Sequence, residues 1–173
     1  MVVKDEAQDF EPIPTGVQPA VCSAMHDLGV QEGFKGQPQH KLVIMWELEV
    51  RRTEGDFAKQ RFVVCKTYTA SLNERSNLSK DLESWRGRGF TQDERDGFEL
   101  DALLGKTCNL NMVEKTNNSG KTFVNVASIT GLHKGQKKMK PEQSDYVPNW
   151  IKALVNGEGE IPSPDDFDDD IPF

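Results

Sequence analysis

Cationic and aromatic side chains are interleaved between residues 34 and 68. In the segment RFVVCKTYTA, the two-residue period of a strand puts Lys66 and Tyr68 on one face with Phe62 and Val64. Cations can pair with phosphates and rings can stack on bases, which is the chemistry of binding single-stranded nucleic acid without reading its sequence. The residues that we predict to supply it are Phe34, Lys35, Trp46, Arg51, Arg52, Phe57, Lys59, Arg61, Lys66 and Tyr68.

Each of these rings could instead belong to a hydrophobic core. Trp46 lies in the more apolar register of its segment, which favours the core, and the two alternatives are balanced for Tyr68. Phe34 and Phe57 lie in glycine-containing loops, where a core position is less favoured.

The sequence contains no motif of a common catalytic site. A P-loop lysine, GxSxG and HExxH are all missing. The cysteines Cys22, Cys65 and Cys108 lie far apart and are odd in number, so we predict free thiols. The three histidines show no metal-ligand spacing. We therefore predict a protein that is not an enzyme and that has no catalytic residues, cofactor or metal.

The negative charge is concentrated at the C-terminus. The stretch from Glu158 to Phe173 contains seven acidic residues and no basic one, which accounts for the whole formal net charge of −7. The remainder is neutral and can still carry a basic groove. No apolar run approaches the roughly 20 residues that span a bilayer, and the acidic N-terminus lacks a secretory h-region. We expect a cytoplasmic protein without membrane contact.

Five segments have the composition and period of β-strands. In the second, every other residue from Leu42 to Leu48 is apolar, as in a half-buried strand. In the fifth, the apolar residues break strict alternation, which indicates a bulge. The five segments are VQPAVCSAMHDLG, KLVIMWELEVRR, RFVVCKTYTA, KTCNLNMVEK and KTFVNVASITGL.

A helix is predicted between the third and fourth strands. Leu78, Leu82 and Trp85 recur at helical spacing, and Ser76 or Asn77 can cap the start. Trp85 is expected in the core, closing one end of the fold. A second helical turn is predicted further on, where a threonine and a glutamate three residues later form a capping-box pattern in TQDE.

Three strands, a helix and two strands form the layout of the OB-fold. We predict an all-β OB-fold, a five-stranded partly open barrel with the helix between strands 3 and 4, plus a disordered acidic C-terminal tail; a β-sandwich is the main competitor. The expected divisions are a flexible arm at 1–14, the barrel at 15–133, a basic linker with room for a short helix at 134–157, and the tail at 158–173.

The tail ends in PDDFDDDIPF. The terminal Phe173 combines an aromatic ring with a free carboxylate, so the ring can fill an apolar pocket while the carboxylate pairs with a cation at its rim. The aspartates add electrostatic steering toward a basic surface. This combination predicts a segment that a partner protein binds.

The stretch DFDDDIPF resembles the C-terminal tip of bacterial single-stranded DNA-binding proteins. The resemblance implies an OB-fold that holds single-stranded DNA and a tip that docks onto replication, recombination and repair proteins. The residues of the implied tip are Asp166, Phe167, Asp168, Asp169, Asp170, Ile171, Pro172 and Phe173.

The rest of the chain departs from that family. The usual first strand is absent, and about ten residues from Gly157 stand where the family has a long Gly/Gln/Pro-rich linker. The chain therefore resembles a diverged relative from a phage or plasmid, acting in a bacterial host cytoplasm. The tetrameric state of that family therefore cannot be transferred to this chain. Whether the chain forms a homo-oligomer is left open by the sequence.

Two functions remain open from the sequence. The first is a protein that coats and protects single-stranded DNA largely without sequence preference and recruits replication, recombination and repair proteins through its tip. The alternative is an OB-fold adaptor or decoy that captures such host proteins through the tail without binding DNA.

Overall fold

The computed structural model describes residues 11–162. This part of the chain forms five β-strands and three short α-helices. The strands are β1 (Gly16–Glu32), β2 (Pro38–Arg51), β3 (Arg61–Thr69), β4 (Thr107–Thr116) and β5 (Thr122–Thr130), and the helices are α1 (Asn77–Arg86), α2 (Gln92–Asp96) and α3 (Asn149–Val155).

All five strands belong to one antiparallel sheet in the order β3-β2-β1-β4-β5. The edge strands β3 and β5 come into contact, but no β-ladder joins them within residues 11–162. The sheet is thus a partly open barrel with α1 between β3 and β4, which confirms the predicted OB-type layout and excludes two stacked sheets.

Bulges bend the strands that curl the sheet. The β1–β2 register shifts between Cys22 and Ala24 and again between Asp27 and Gly29. The β4–β5 register shifts where Met112 pairs with Val126, so the irregularity expected in the fifth strand is present. An extra residue in one strand increases local twist, and these positions let a single sheet curve around one core.

The barrel interior holds the inward side chains of β2 and the apolar stripe of α1. Trp46 is fully buried, and its ring centroid lies 6.2 Å from that of Trp85. The Trp85 Nε1 atom donates to the Thr107 carbonyl at 3.3 Å. Ser76 caps α1 by accepting from the Ser79 amide at 3.1 Å, and Gly87 ends the helix at φ 75°. Trp85 therefore lies in the core, as predicted.

Two further expectations concern α2 and the thiols. Thr91 and Glu94 form a complete capping box at the start of α2, as the sequence predicted. Cys22, Cys65 and Cys108 are free thiols. Burial raises the pKa of Cys22 and of Cys65 to about 12 and also raises that of Cys108.

A second apolar cluster lies outside the barrel, on the outward face of β1, β2 and β3. Residues 139–161, which we call the strap, run across this face and include α3. Ile151 of the strap is fully buried against a patch that includes Val43 and Met45. The strand β2 is therefore buried on both faces from Leu42 to Leu48, and the prediction of a half-buried strand was wrong because the strap covers the second face.

The N-terminal segment also contacts the barrel where it is described. Both carboxylate oxygens of Glu11 accept hydrogen bonds from the β2–β3 turn, from the Thr53 amide at 2.7 Å and the Thr53 hydroxyl at 2.9 Å. These bonds lower the pKa of Glu11. Ile13 packs against the barrel core. Residues 11–14 of the predicted arm thus pack against the barrel, and the rest of the arm lies outside the described residues.

Candidate nucleic-acid interface

The outward face of β2 and β3 has a covered part and an open part. Because side chains alternate along a strand, Lys41 points to the same side as Val43, and Thr67 and Thr69 point to the same side as Cys65. The strap covers Val43 and Cys65. The end of the face that carries Lys41, Thr67 and Thr69 remains open.

A polar groove of about 440 Å³ occupies this open end, between the ends of β2 and β3 and the start of α1. The Lys41 Nζ atom donates to Thr69 Oγ1 at 2.8 Å, and Arg75 is exposed. Two cations and several hydroxyl groups thus face one concave surface. The groove is lined by Lys41, Thr67, Tyr68, Thr69, Ser71, Arg75, Ser76 and Asn77.

The loop between β1 and β2 lies at the same end of the barrel as the polar groove. It contains a 3-10 turn, Phe34–Gly36, in which Lys35 is exposed and has a left-handed backbone with φ 55°. The side chain of Phe34 lies outside the described part of the structure. Of the residues predicted to bind nucleic acid, Lys35 is thus exposed beside the groove.

Arg51 and Arg61 lie at the opposite end of the face, where the strap is anchored. Arg51 donates two hydrogen bonds to the Glu142 carboxylate, at 2.8 and 2.7 Å, and Arg61 Nη2 lies 3.4 Å from the same carboxylate. The bonds from Arg51 are the largest cause of the lowered pKa of Glu142. Two of the three predicted nucleic-acid-binding arginines, Arg51 and Arg61, are therefore paired with the strap.

Glu47, on the outward face of β2, binds backbone amides of the strap. Its carboxylate is fully buried and accepts the backbone amides of Glu142, at 2.8 and 3.0 Å, and of Gln143, at 2.9 Å. Arg61 Nη1 lies 3.4 Å from Glu47 and donates to the Lys140 carbonyl at 2.7 Å. One buried carboxylate thus fixes the strap backbone at the edge of the barrel.

Four of the predicted nucleic-acid-binding side chains are held within the fold. Trp46 is fully buried and Tyr68 is 2% exposed, so neither presents a face on which a base can stack. Lys66 pairs with Asp81 at 2.7 Å. Arg52 is buried with its guanidinium carbon 4.6 Å from the centroid of the Phe62 ring, and burial lowers its pKa.

The remaining two predicted residues are exposed in the turn between β2 and β3. Phe57 is 40% exposed, and Lys59 has a left-handed backbone with φ 71°. This turn adjoins the strap anchor and lies far from the polar groove. The exposed residues among those predicted therefore fall at two ends of one face, with the strap between them.

Seven of the eight groove residues were missed as site residues by sequence reasoning: Lys41, Thr67, Thr69, Ser71, Arg75, Ser76 and Asn77. A signal for three of them exists, because the alternation that puts Tyr68 inward puts Thr67 and Thr69 outward, and Lys41 begins the polar face of β2. Arg75 lies in the turn before α1, where no periodicity applies. The predicted tip, Asp166 to Phe173, lies outside the described residues.

Comparisons with known proteins do not assign this chain to a family. No family model matches the sequence, and no curated protein shows significant similarity to it. Among residues 11–162, no helix is long and apolar enough to cross a membrane, and no group of three or more His, Cys, Asp or Glu side chains is arranged to hold a metal ion.

Proposed function

We propose that this protein binds single-stranded DNA across the polar groove and recruits replication, recombination and repair proteins through its C-terminal tip. The observation that carries the proposal is the open, cationic end of the β2–β3 face in a partly open five-stranded barrel. Barrels of this type bind oligonucleotides on the face of strands 2 and 3 and on the loop between strands 1 and 2. The proposal is supported by Lys41 of β2 and Thr67 and Thr69 of β3, which line the groove from that face.

The side chains of the groove suit a phosphate backbone better than a particular base. Lys41 and Arg75 supply charge, while Thr67, Thr69 and Ser71 supply hydroxyl groups. Charge and hydroxyl contacts to phosphates carry no sequence information. Phe34, in the loop between β1 and β2, stays our sequence-based candidate for a stacking ring, a contact worth roughly 1–3 kcal/mol per base. Binding is therefore expected to be largely independent of sequence.

The recruiting activity rests on the sequence DFDDDIPF and its resemblance to the tips of bacterial single-stranded DNA-binding proteins. An aromatic ring joined to a terminal carboxylate can anchor a short peptide in a pocket with a cationic rim. Acidic residues before it steer the segment toward basic partners. The two activities use different parts of the chain and can be tested separately.

Retention of the full-length protein on immobilised oligo-dT at low salt tests DNA binding. We expect retention that weakens with salt, with a slope of roughly −0.7 in log K against log salt for each phosphate contacted, and weaker binding to duplex. The double variant Lys41→Ala/Arg75→Ala is expected to bind about tenfold more weakly, because it removes two surface charge contacts.

A charge-matched control is Arg88→Ala/Lys106→Ala, which removes two exposed cations outside the groove. Equal losses in both double variants would contradict binding at the groove. The adaptor alternative is favoured by one observation, the pairing of Arg51 and Arg61 with acidic side chains. A protein that oligo-dT does not retain at any salt concentration would support that alternative.

A further inference from the structure

The strap combines a polar anchor with an apolar contact. At the anchor, Glu47 binds the amides of Glu142 and Gln143, and Glu142 binds Arg51 and Arg61. Beyond the anchor, α3 lies on the aliphatic outer face of the sheet. The strap therefore covers the middle of the face whose two ends carry the exposed cations described above.

The Glu142 carboxylate occupies a site with the geometry of a phosphate site. Arg51 holds it with two parallel hydrogen bonds of 2.8 and 2.7 Å, and Arg61 approaches from a second side at 3.4 Å. Guanidinium groups bind carboxylates and phosphates in this same forked arrangement. A DNA phosphate can therefore take the place of the Glu142 carboxylate on Arg51, and on Arg61 once the bond from Arg61 to the Lys140 carbonyl of the strap is broken.

The strap contact leaves several buried polar atoms unsatisfied. Trp150 Nε1 in α3, His26 Nε2 on β1 beneath it and Arg61 Nε at the anchor have no hydrogen-bond partner among the described residues. His26 pairs across the sheet with Val43, which places it on the strap side. Unsatisfied buried donors and acceptors weaken a contact. Trp46 Nε1 in the barrel interior and Arg86 Nη1 also lack a partner among the described residues, so this cost is one that the strap shares with the barrel.

Only a small part of the strap is fully buried. Ile151 and Leu154 are the buried side chains of α3, while Tyr146, Val147 and Trp150 remain partly exposed. Docking the strap orders more than twenty residues, and that entropy opposes the gain from burial. The apolar cluster beneath the strap is separate from the barrel core, so release of the strap would leave the barrel core packed.

We propose that the strap is a reversible cover, and that a phosphate of bound single-stranded DNA replaces Glu142 on Arg51 and Arg61. This inference rests on the proposed function and concerns the regulation of the same face. The released face extends the DNA path from Lys41 at the polar groove along β2 to Arg51, a distance of about 33 Å at the rise of a strand. Phe57 and Lys59 lie at its far end.

Hydrogen exchange of the full-length protein, with and without saturating oligo-dT, tests the proposal. Peptides that cover the strap are expected to exchange at least about threefold faster when DNA is bound, because release removes the acceptor of the Glu142 and Gln143 amides. Peptides that cover β4 are expected to show no such increase. Strap exchange that is unchanged or slower with DNA bound overturns the proposal and leaves binding confined to the groove.

The variant Glu142→Gln tests directly whether a DNA phosphate replaces the Glu142 carboxylate on Arg51 and Arg61. It removes the charge that holds Arg51 and Arg61 but keeps the backbone amide that binds Glu47, so affinity for oligo-dT is expected to rise about two- to fivefold. The matched control is Glu99→Gln, an exposed carboxylate outside the strap and the groove. Equal affinities of the two variants overturn the phosphate exchange. Failure of oligo-dT to bind any of these proteins overturns the proposed function itself, and the strap proposal with it.

Discussion

Asp81 of α1 accepts hydrogen bonds from two neighbouring side chains of β3. Its Oδ2 atom lies 2.7 Å from Lys66 Nζ and 2.7 Å from the Tyr68 hydroxyl. Burial is the largest cause that raises the pKa of Tyr68, followed by the charge of Asp81. The aromatic ring and cation that the sequence offered as a DNA-binding pair thus fasten α1 to the barrel.

This placement predicts opposite outcomes for two aromatic substitutions. Tyr68→Ala is expected to lower the free energy of unfolding by about 3–5 kcal/mol, the cost of deleting a large buried ring. Phe57→Ala is expected to change it by less than about 0.5 kcal/mol, since Phe57 is exposed in a turn. Urea denaturation followed by circular dichroism measures both. Similar small losses for the two variants would mean that the Tyr68 ring is not part of the core in solution.

Among the secondary-structure elements, β2 best separates what the sequence could predict from what it could not. The alternation of apolar residues in β2 predicted which side chains from Leu42 to Leu48 point into the barrel, because a two-residue period can be read from a short stretch of sequence. Val43 and Met45 interrupted the polar face, yet only their contact with the strap explains them. Glu47 and Glu142 are 95 residues apart, and a pairing at that separation leaves no periodic trace in one sequence. The place of Arg75 in the polar groove could not be predicted for the same reason, since Arg75 and Lys41 line one groove only after the sheet forms.

The strap depends on Glu47, which gives a prediction for this element. Glu47→Gln removes the buried charge and replaces one accepting oxygen by an amide nitrogen that cannot accept, so either the Gln143 N–H or the Arg61 guanidinium loses its partner. The free energy of unfolding is expected to fall by about 1–3 kcal/mol, and strap peptides are expected to exchange faster than β4 peptides. Glu49→Gln is the matched control, because Glu49 is exposed two residues along the same strand. An equal effect of both changes would argue against Glu47 as the anchor.

For the whole molecule, the main feature is the separation of charge between body and tail. The seven acidic residues after Gly157 carry the full net charge, while the body is neutral and exposes cations at the groove. We expect an acidic segment joined to such a body to compete at low salt with the proposed DNA ligand for the same cations. This competition weakens above ~0.15 M salt, where the screening length is about 8 Å.

Deleting Asp165 to Phe173 is expected to abolish capture of replication and repair proteins and to leave binding of single-stranded DNA intact or stronger. The deletion removes the aromatic-carboxylate anchor and five competing aspartates. Pull-downs from bacterial lysate with intact and truncated protein measure the first effect, and oligo-dT affinity at two salt concentrations measures the second. Adding one residue after Phe173 is the finer control, because it keeps every aspartate and is expected to be nearly as damaging to capture. If all three forms retained the same proteins, the tail would not recruit partners and would serve only to increase solubility.

The strand β1 pairs with both β2 and β4, and these two pairings can form only at different times during synthesis of the chain. The later half of β1 pairs with β2, and this hairpin is complete once Arg51 has been synthesised. The segment Gly16–Val21 also pairs with β4, and that pairing is complete only once Met112 has been synthesised. At the usual speed of a ribosome this interval lasts about 3–12 s. Pro19 lies in the waiting segment and offers no N–H to a neighbouring chain. We expect that the missing N–H of Pro19 weakens pairing of this segment with another copy before its own partner strand has emerged.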